Sequence, residues 1–160
     1  MRRPWRTRSG SGWCRCGVAF GLAVAWLALM LGCSSGEPFA TVPVRGKVTF
    51  RDGSLIKADR IVITFIPQGA SASGKAVPGG ARGEVKVADG TFGDLTTHKP
   101  MDGVVLGRHK VVVQPLKKGP GGMDMPARAI PVRYTQPDKT PLEVEVKKSR
   151  EVLTLLVDPQ

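Results

Sequence analysis

The 160-residue chain is poor in the residue types that form most active sites and covalent scaffolds. It contains three cysteines, two histidines and one tyrosine, and aromatic residues make up 6% of it. Three cysteines are too few for a disulfide-rich scaffold. Glycine and proline are abundant, with 20 and 13 residues, which argues against a coiled coil or a long helical bundle. The hydrophobic fraction of 41% is nevertheless too high for a fully disordered chain.

Acidic residues are also scarce, since 13 of them face 24 lysines and arginines and leave a net charge of +11. Such an excess is typical of nucleic-acid-binding proteins, so the position of the charges matters. Five arginines lie in the first 16 residues, where there is no acid. An uncharged apolar run then covers residues 17–31, which is shorter than the roughly 20 residues of a membrane-spanning helix. A basic leader before a short apolar core is the layout of a secretory signal.

The apolar run ends in Met30-Leu31-Gly32-Cys33, which resembles the lipobox of bacterial lipoprotein signals. In that family the cysteine thiol receives a diacylglyceryl group, the signal is cut just before it, and the new amine is usually acylated with a fatty acid such as palmitate. The resemblance implies a helical signal peptide over residues 1–32, cleavage between Gly32 and Cys33, and lipidation of Cys33. An ordinary secretory signal and an uncleaved anchor helix are the alternatives.

Removal of residues 1–32 would leave 128 residues with a net charge of +6, no tryptophan and Cys33 as the lone cysteine. Residues 33–41 are then predicted to be the lipidated cysteine and a flexible tether. We expect the lipid anchor to hold the following domain in the cell envelope, at the outer membrane in preference to the inner membrane. The domain would face the periplasm or the exterior. Because export removes the chain from the cytoplasm, nucleic acid is not an expected partner.

The rest of the chain has the periodicity of short strands separated by turns. Val44–Phe50 alternates strictly between apolar and polar positions, which predicts a half-buried strand, and Ile61–Ile66 is apolar on both faces, as in a central strand. Five further strands are predicted over 83–88, 91–97, 107–114, 142–147 and 151–157. Residues 67–82 and 115–129 are predicted to be long loops. The pattern predicts an all-β domain over residues 42–158, an antiparallel prealbumin-like or Ig-like β-sandwich of about seven strands.

The order of these segments resembles the carboxypeptidase-regulatory-like, transthyretin-like domains of planctomycete-type bacterial lipoproteins. The segments that carry the resemblance are Val44–Phe50 with Ile61–Phe65, Ala88–Phe92, Gly107–Val113, Ile130–Tyr134 and Thr140–Val146. The resemblance covers about residues 42–157 and implies a prealbumin-like sandwich. It implies almost nothing about a ligand.

No set of residues in the sequence predicts catalysis. There is no Gly-x-Ser-x-Gly elbow and no His-x-x-x-His pair, and a lipidated Cys33 leaves no thiol nucleophile. The chain ends in Leu156–Gln160, whereas the transthyretin-like purine-degrading hydrolases end in Tyr-Arg-Gly-Ser. We therefore expect no enzymatic activity and no cofactor.

The expected role is structural or binding, as an adaptor that contacts another envelope protein, a peptide or a glycan. The alternative is a small copper or ligand carrier that uses the side chains of His98, His109, Met123 and Met125. The interpretation of His109 without a metal is a half-buried ring, with a structural role, on the face shared with Val111 and Val113. For Tyr134, a tyrosine-corner role and an ordinary half-buried position are equally compatible with the sequence.

Overall fold

The structure, a computed structural model, describes residues 39–69, 78–148 and 150–160. The predicted signal peptide, with Gly32 and Cys33, and most of the predicted tether lie outside the described residues. Among the residues that are described, no helix is long and apolar enough to cross a membrane.

The described part of the chain is mostly β-structure, so the prediction of an all-β domain is confirmed. Its strands are β1 (Thr41–Val42), β2 (Val44–Phe50), β3 (Arg60–Pro67), β4 (Ala81–Val85), β5 (Thr91–Phe92), β6 (Val104–Val105), β7 (Gly107–Lys118), β8 (Asp124–Pro126), β9 (Glu143–Val146) and β10 (Glu151–Val157). Two short 3₁₀ turns cover Pro120–Gly122 and Val132–Thr135. The strands outnumber the seven predicted because β1, β6 and β8 are only two or three residues long, too short to show a hydrophobic period.

One large sheet runs in the order β10-β2-β5-β4-β3-β7-β8, with β9 paired to β7, and β1 and β6 form a separate ribbon. Every pair is antiparallel except β10 and β2, which are parallel. The expectation of a purely antiparallel sheet is wrong at this pair. Parallel pairing is possible because β10 does not fold back on β9 as a hairpin but crosses to the far end of the sheet.

That crossing also requires the sheet to curl. Residues 147–150 alone connect β9 to β10, although β10 ends the sheet order and β9 pairs with β7 near the other end. Five Cα-to-Cα steps span at most about 18 Å, so the Cα atoms of Val146 and Glu151 must lie within that distance of each other.

The apolar core lies inside this curl. Val44 and Val48 of β2 are buried while Arg45 and Lys47 are exposed, as the alternation predicts. Residues Ile61, Val62 and Ile63 of β3 are all buried, which confirms that β3 is a central strand. Across the core, the rings of Phe65 and Phe92 lie 5.8 Å apart.

The predicted loop 115–129 is wrong over residues 115–118 and 124–126, which are strands, whereas residues 127–129 are irregular as predicted. β7 continues through Pro115 to Lys118 and forms a hairpin with β8. The backbone amide of Ala127 donates to the Pro115 carbonyl over 2.9 Å, so Pro115 directs its backbone groups toward the β8 and β9 side of β7. On that side, β8 pairs only from Leu116 onward and β9 pairs only up to Lys110. Because the nitrogen of Pro115 faces away from β3, its missing N–H removes no hydrogen bond between β7 and β3.

Three other predicted elements differ in extent from the observed ones. The predicted loop 67–82 ends earlier than expected because β4 begins at Ala81, and residues 70–77 lie outside the described residues. The strand predicted over 83–88 covers Ala81–Val85 instead. The strand predicted over 91–97 ends at Phe92, and Thr96 makes only an isolated bridge to Arg82.

Gly46 is the position where β2 tolerates no side chain. A Cβ atom there would overlap the Leu153 carbonyl oxygen of β10 and the Phe92 ring of β5. We expect Gly46→Ala to lower the free energy of unfolding by about 1–3 kcal/mol, as overpacking does in other cores. Urea unfolding followed by circular dichroism measures the change.

Gly93→Ala is the matched control for this prediction. A Cβ at Gly93 would approach only the Arg45 side chain, at an ordinary 3.5 Å. Equal unfolding midpoints for the two variants would contradict the tight packing of β2 between β5 and β10.

Candidate binding groove

An open groove of about 920 Å³ lies between the segment that follows β2 and the segment that follows β8. We call it the basic groove. Its floor is formed by half-buried apolar side chains, namely Phe50, Leu55, Ala58, Val87, Ala127 and Ala129.

The rim of the basic groove is cationic. Lys57, Lys117 and Arg128 line it, and all three are exposed. Asp59 is the acidic residue of the lining, and its carboxylate accepts a hydrogen bond from the Lys118 backbone amide over 2.7 Å. Three cations beside one carboxylate leave the groove positive, and such a cleft attracts anions.

Both walls of the basic groove are hydrogen-bonded to the end of β7. On one side, the Asp59 amide donates to the Leu116 carbonyl over 3.0 Å. On the other, the Ala127 amide donates to the Pro115 carbonyl over 2.9 Å. The long β7 strand therefore fixes the spacing of the walls, and the extension of β7 past Pro115 is what creates the groove.

Next to the groove residue Phe50 lies a cluster around a single carboxylate, which we call the Asp158 cluster. The Asp158 side chain accepts hydrogen bonds from the hydroxyl of Tyr134 (2.6 Å) and from the guanidinium groups of Arg51 (2.5 Å) and Arg133 (2.5 Å). The Tyr134 hydroxyl, with Arg51 next in effect, lowers the pKa of Asp158 from 3.8 to about 2. The Arg133 guanidinium also lies 5.1 Å from the centre of the Tyr134 ring.

Tyr134 is only 1% exposed, so the expectation of a half-buried ring is wrong. Its hydroxyl contacts Asp158, 24 residues downstream, and accepts a hydrogen bond from the Asp158 backbone amide. A tyrosine corner bonds back to the chain a few residues upstream. Tyr134 instead anchors the end of β10, and this partner could be found only once β10 was known to pair with β2.

His109 lies inside the core rather than at a surface site. It is 1% exposed, so burial is more complete than the predicted half-buried position, and its ring contacts Phe65 edge-on at 6.3 Å. Nδ1 donates to the Gly107 carbonyl over 3.0 Å in the tautomer that fits this contact, and Nε2 has no partner in the described part of the chain. Burial lowers the pKa of His109, which favours the neutral ring.

The four side chains of the copper alternative are not brought together at one point. Met125 pairs with Lys117, eight residues along β7 from His109, which corresponds to about 27 Å. Met123 and Met125 are exposed on the β7–β8 hairpin, and His98 is exposed in a turn where it stacks on Phe39. A single metal ion could not contact both His109 and Met125. Among the described residues no three His, Cys, Asp or Glu side chains form a metal-binding group.

The three Asp-Gly dipeptides of the sequence form turns. Asp52 accepts from the Ser54 hydroxyl and amide, and Asp89 accepts likewise from Thr91, which lowers the pKa of both carboxyls. Asp102 accepts from the backbone amides of residues 97, 98 and 99. These carboxylates are occupied by local turn geometry.

No known protein family, curated protein or solved structure matches the chain.

The Asp158 cluster makes stability depend on acidity in a defined direction. Because the folded pKa of Asp158 lies below its ordinary value, the stabilisation is complete above about pH 4 and is lost as the pH falls toward 2. At pH 6 we expect Asp158→Asn to melt at a lower temperature than the wild type. At pH 2 we expect the two proteins to have nearly equal melting temperatures. Thermal unfolding across this range measures the difference between the variant and the wild type.

Asp138→Asn removes an exposed carboxylate from a turn remote in sequence from β10 and serves as the control. A difference between Asp158→Asn and wild type that stayed constant from pH 6 to pH 2 would contradict the assigned role of the carboxylate.

Proposed function

We propose that this chain is a lipid-anchored binding protein of the bacterial cell envelope, whose β-domain holds an anionic partner at the basic groove. The partner is another envelope protein, a peptide or a glycan, and the domain has an adaptor role without catalysis. The domain is proposed to be a sandwich of the carboxypeptidase-regulatory-like, transthyretin-like kind. The basic groove is the observation that carries the proposal.

Two features of the basic groove favour binding. An apolar floor and a small number of oriented polar groups are the usual composition of ligand sites. The exposed cations Lys57, Lys117 and Arg128 surround that floor without an ion-pair partner among the ion pairs of the described residues. By contrast, Arg51, Arg60, Lys118 and Arg133 are engaged by carboxylates.

The curled sheet supports the proposed sandwich. β10 ends the sheet order, β9 pairs with β7 near the other end, and four residues join these two strands, so the sheet curls on itself, as the layers of a sandwich require. The envelope location is supported by the sequence alone, through the basic leader, the apolar run and the Gly32-Cys33 pair.

The anchor can be tested separately from the groove. Cys33→Ser removes the proposed acceptor of the diacylglyceryl group, so the variant should lose incorporation of radiolabelled palmitate and should no longer pellet with membranes. Cys16→Ser, in the same leader, should change neither result. Labelling and pelleting retained by Cys33→Ser would contradict the lipoprotein proposal.

The groove is tested by photo-crosslinking in intact cells. A photoreactive amino acid at Ala58, on the groove floor, should capture one dominant partner, and the same residue at Lys139 should not. The triple change of Lys57, Lys117 and Arg128 to serine should abolish capture, because it removes the charges that attract the partner.

A control of equal charge replaces three exposed cations outside the groove, Lys86, Arg108 and Lys139, with serine. If this control lost the crosslink as fully as the groove variant, net charge rather than the groove would be responsible. Failure of Ala58 to capture any partner would overturn the proposed binding site.

A further inference from the structure

The outer edge of β10 is a free sheet edge in the part of the chain that the structure describes. β10 ends the sheet order and pairs only with β2. The Arg51 amide donates to the Val157 carbonyl, so residues 153, 155 and 157 direct their backbone groups toward β2. The alternate residues Val152, Thr154 and Leu156 therefore direct theirs outward.

The same three residues also form the exposed face of β10. Val152 is 77% exposed and Leu156 is 40% exposed, and Thr154 lies exposed between them. Residues 152–157, Val-Leu-Thr-Leu-Leu-Val, contain no charge, no proline and no glycine. Such an uncharged, β-prone edge is a template for pairing with another strand.

The other sheet edges in the described residues are protected against such pairing. β9 exposes Glu143 and Glu145, and β8 is three residues long and includes Asp124 and Pro126. β1 and β6 have two residues each. Charge, proline and short length are the usual means by which proteins block edge pairing, and β10 uses none of them between Val152 and Val157.

We propose that β10 pairs antiparallel with β10 of a second copy of this chain, in a twofold-symmetric register centred on Thr154. In this register Thr154 faces Thr154, and Val152 faces Leu156 of the second copy. The three residues with outward backbone groups meet one another, and each facing pair exchanges two N–H···O bonds.

The side chains on the exposed face fit this register. Val152 and Leu156, the two exposed apolar residues of β10, cover each other twice across the symmetry axis. The facing threonines form a cross-strand pair of the kind that stabilises sheets. Lys47 adjoins Thr154 on β2, and the two symmetry-related lysines lie about 15 Å apart, so salt screens their repulsion at a Debye length of about 8 Å.

A second copy explains the edge better than a charged partner does. Residues 152–157 offer no charge to recognise an acidic or basic strand, whereas their apolar, Thr, apolar spacing is its own complement about Thr154. Closed twofold pairing also uses both free edges and leaves none for further growth.

Cysteine substitution tests the register directly in the full-length chain expressed in bacterial cells. In a hydrogen-bonded antiparallel pair, facing Cα atoms lie about 5.5 Å apart, within the range of about 4.4–6.8 Å that a disulfide spans. Thr154→Cys treated with a membrane-permeant thiol oxidant should therefore convert largely to a linked dimer on a non-reducing gel. The wild type, which has the same three native cysteines, gives the background.

Leu156→Cys is the matched control on the same strand. Its two copies would be offset by about 14 Å along the strands and should not link to each other. Coexpression of Val152→Cys and Leu156→Cys chains with different tags should restore the link between the two kinds of chain.

The proposal fails if Thr154→Cys links no more than wild type, if Leu156→Cys links as fully as Thr154→Cys, or if Thr154→Cys links to a different protein. A non-covalent readout completes the test. The double variant Val152→Lys with Leu156→Lys should shift the detergent-solubilised chain from dimer to monomer in size-exclusion chromatography with light scattering. Val132→Lys, at a residue that is 57% exposed and lies outside β10, should leave the dimer intact.

Discussion

The parallel pairing of β10 with β2 is the constraint on which most of the described structure depends. Its register, with Val157 beside Phe50, brings the residues that follow each strand together, so that Asp158 meets Arg51. Tyr134 then reaches the same carboxylate from the core. The Asp158 cluster thus fastens the last strand to the sheet at a point where chain ends commonly fray.

The same pairing determines what the domain exposes. With β2 on one side, β10 directs the backbone N–H and C=O groups of Val152, Thr154 and Leu156 to its free edge. The strand that completes the core therefore also provides the proposed dimer edge. At the other end of the sheet order, the length of β7 has a comparable effect. Its last residues hold both walls of the basic groove, and its first residues hold β9. The proposed dimer edge therefore depends on β10, and the basic groove depends on β7.

Much of the fold was predictable from local patterns. β2 and β10 match the predicted residues 44–50 and 151–157, because strict alternation and β-branched runs are strong signals over seven residues. The turns at Asp52 and Asp89 are equally local, since each carboxylate accepts hydrogen bonds from a residue two positions further along the chain. The prediction failed at Pro115, where the cost of a missing N–H depends on which neighbour the nitrogen faces, and that is a property of the sheet rather than of the sequence.

By itself, the sequence determined the all-β class, the alternation of buried and exposed residues in the main strands, and the layout of a basic leader before Gly32-Cys33. These follow from residue type and short spacing. Only the tertiary structure decided that β10 lies beside β2. It also decided that Asp158 accepts hydrogen bonds from Tyr134, Arg51 and Arg133. The position of Lys57, Lys117 and Arg128 around one groove was likewise a result of the tertiary structure. The residues of each group lie far apart in the chain, and no local pattern encodes which strands will be neighbours in a curled sheet. The low pKa of Asp158, the free edge of β10 and the charge of the groove are consequences of that choice of neighbours.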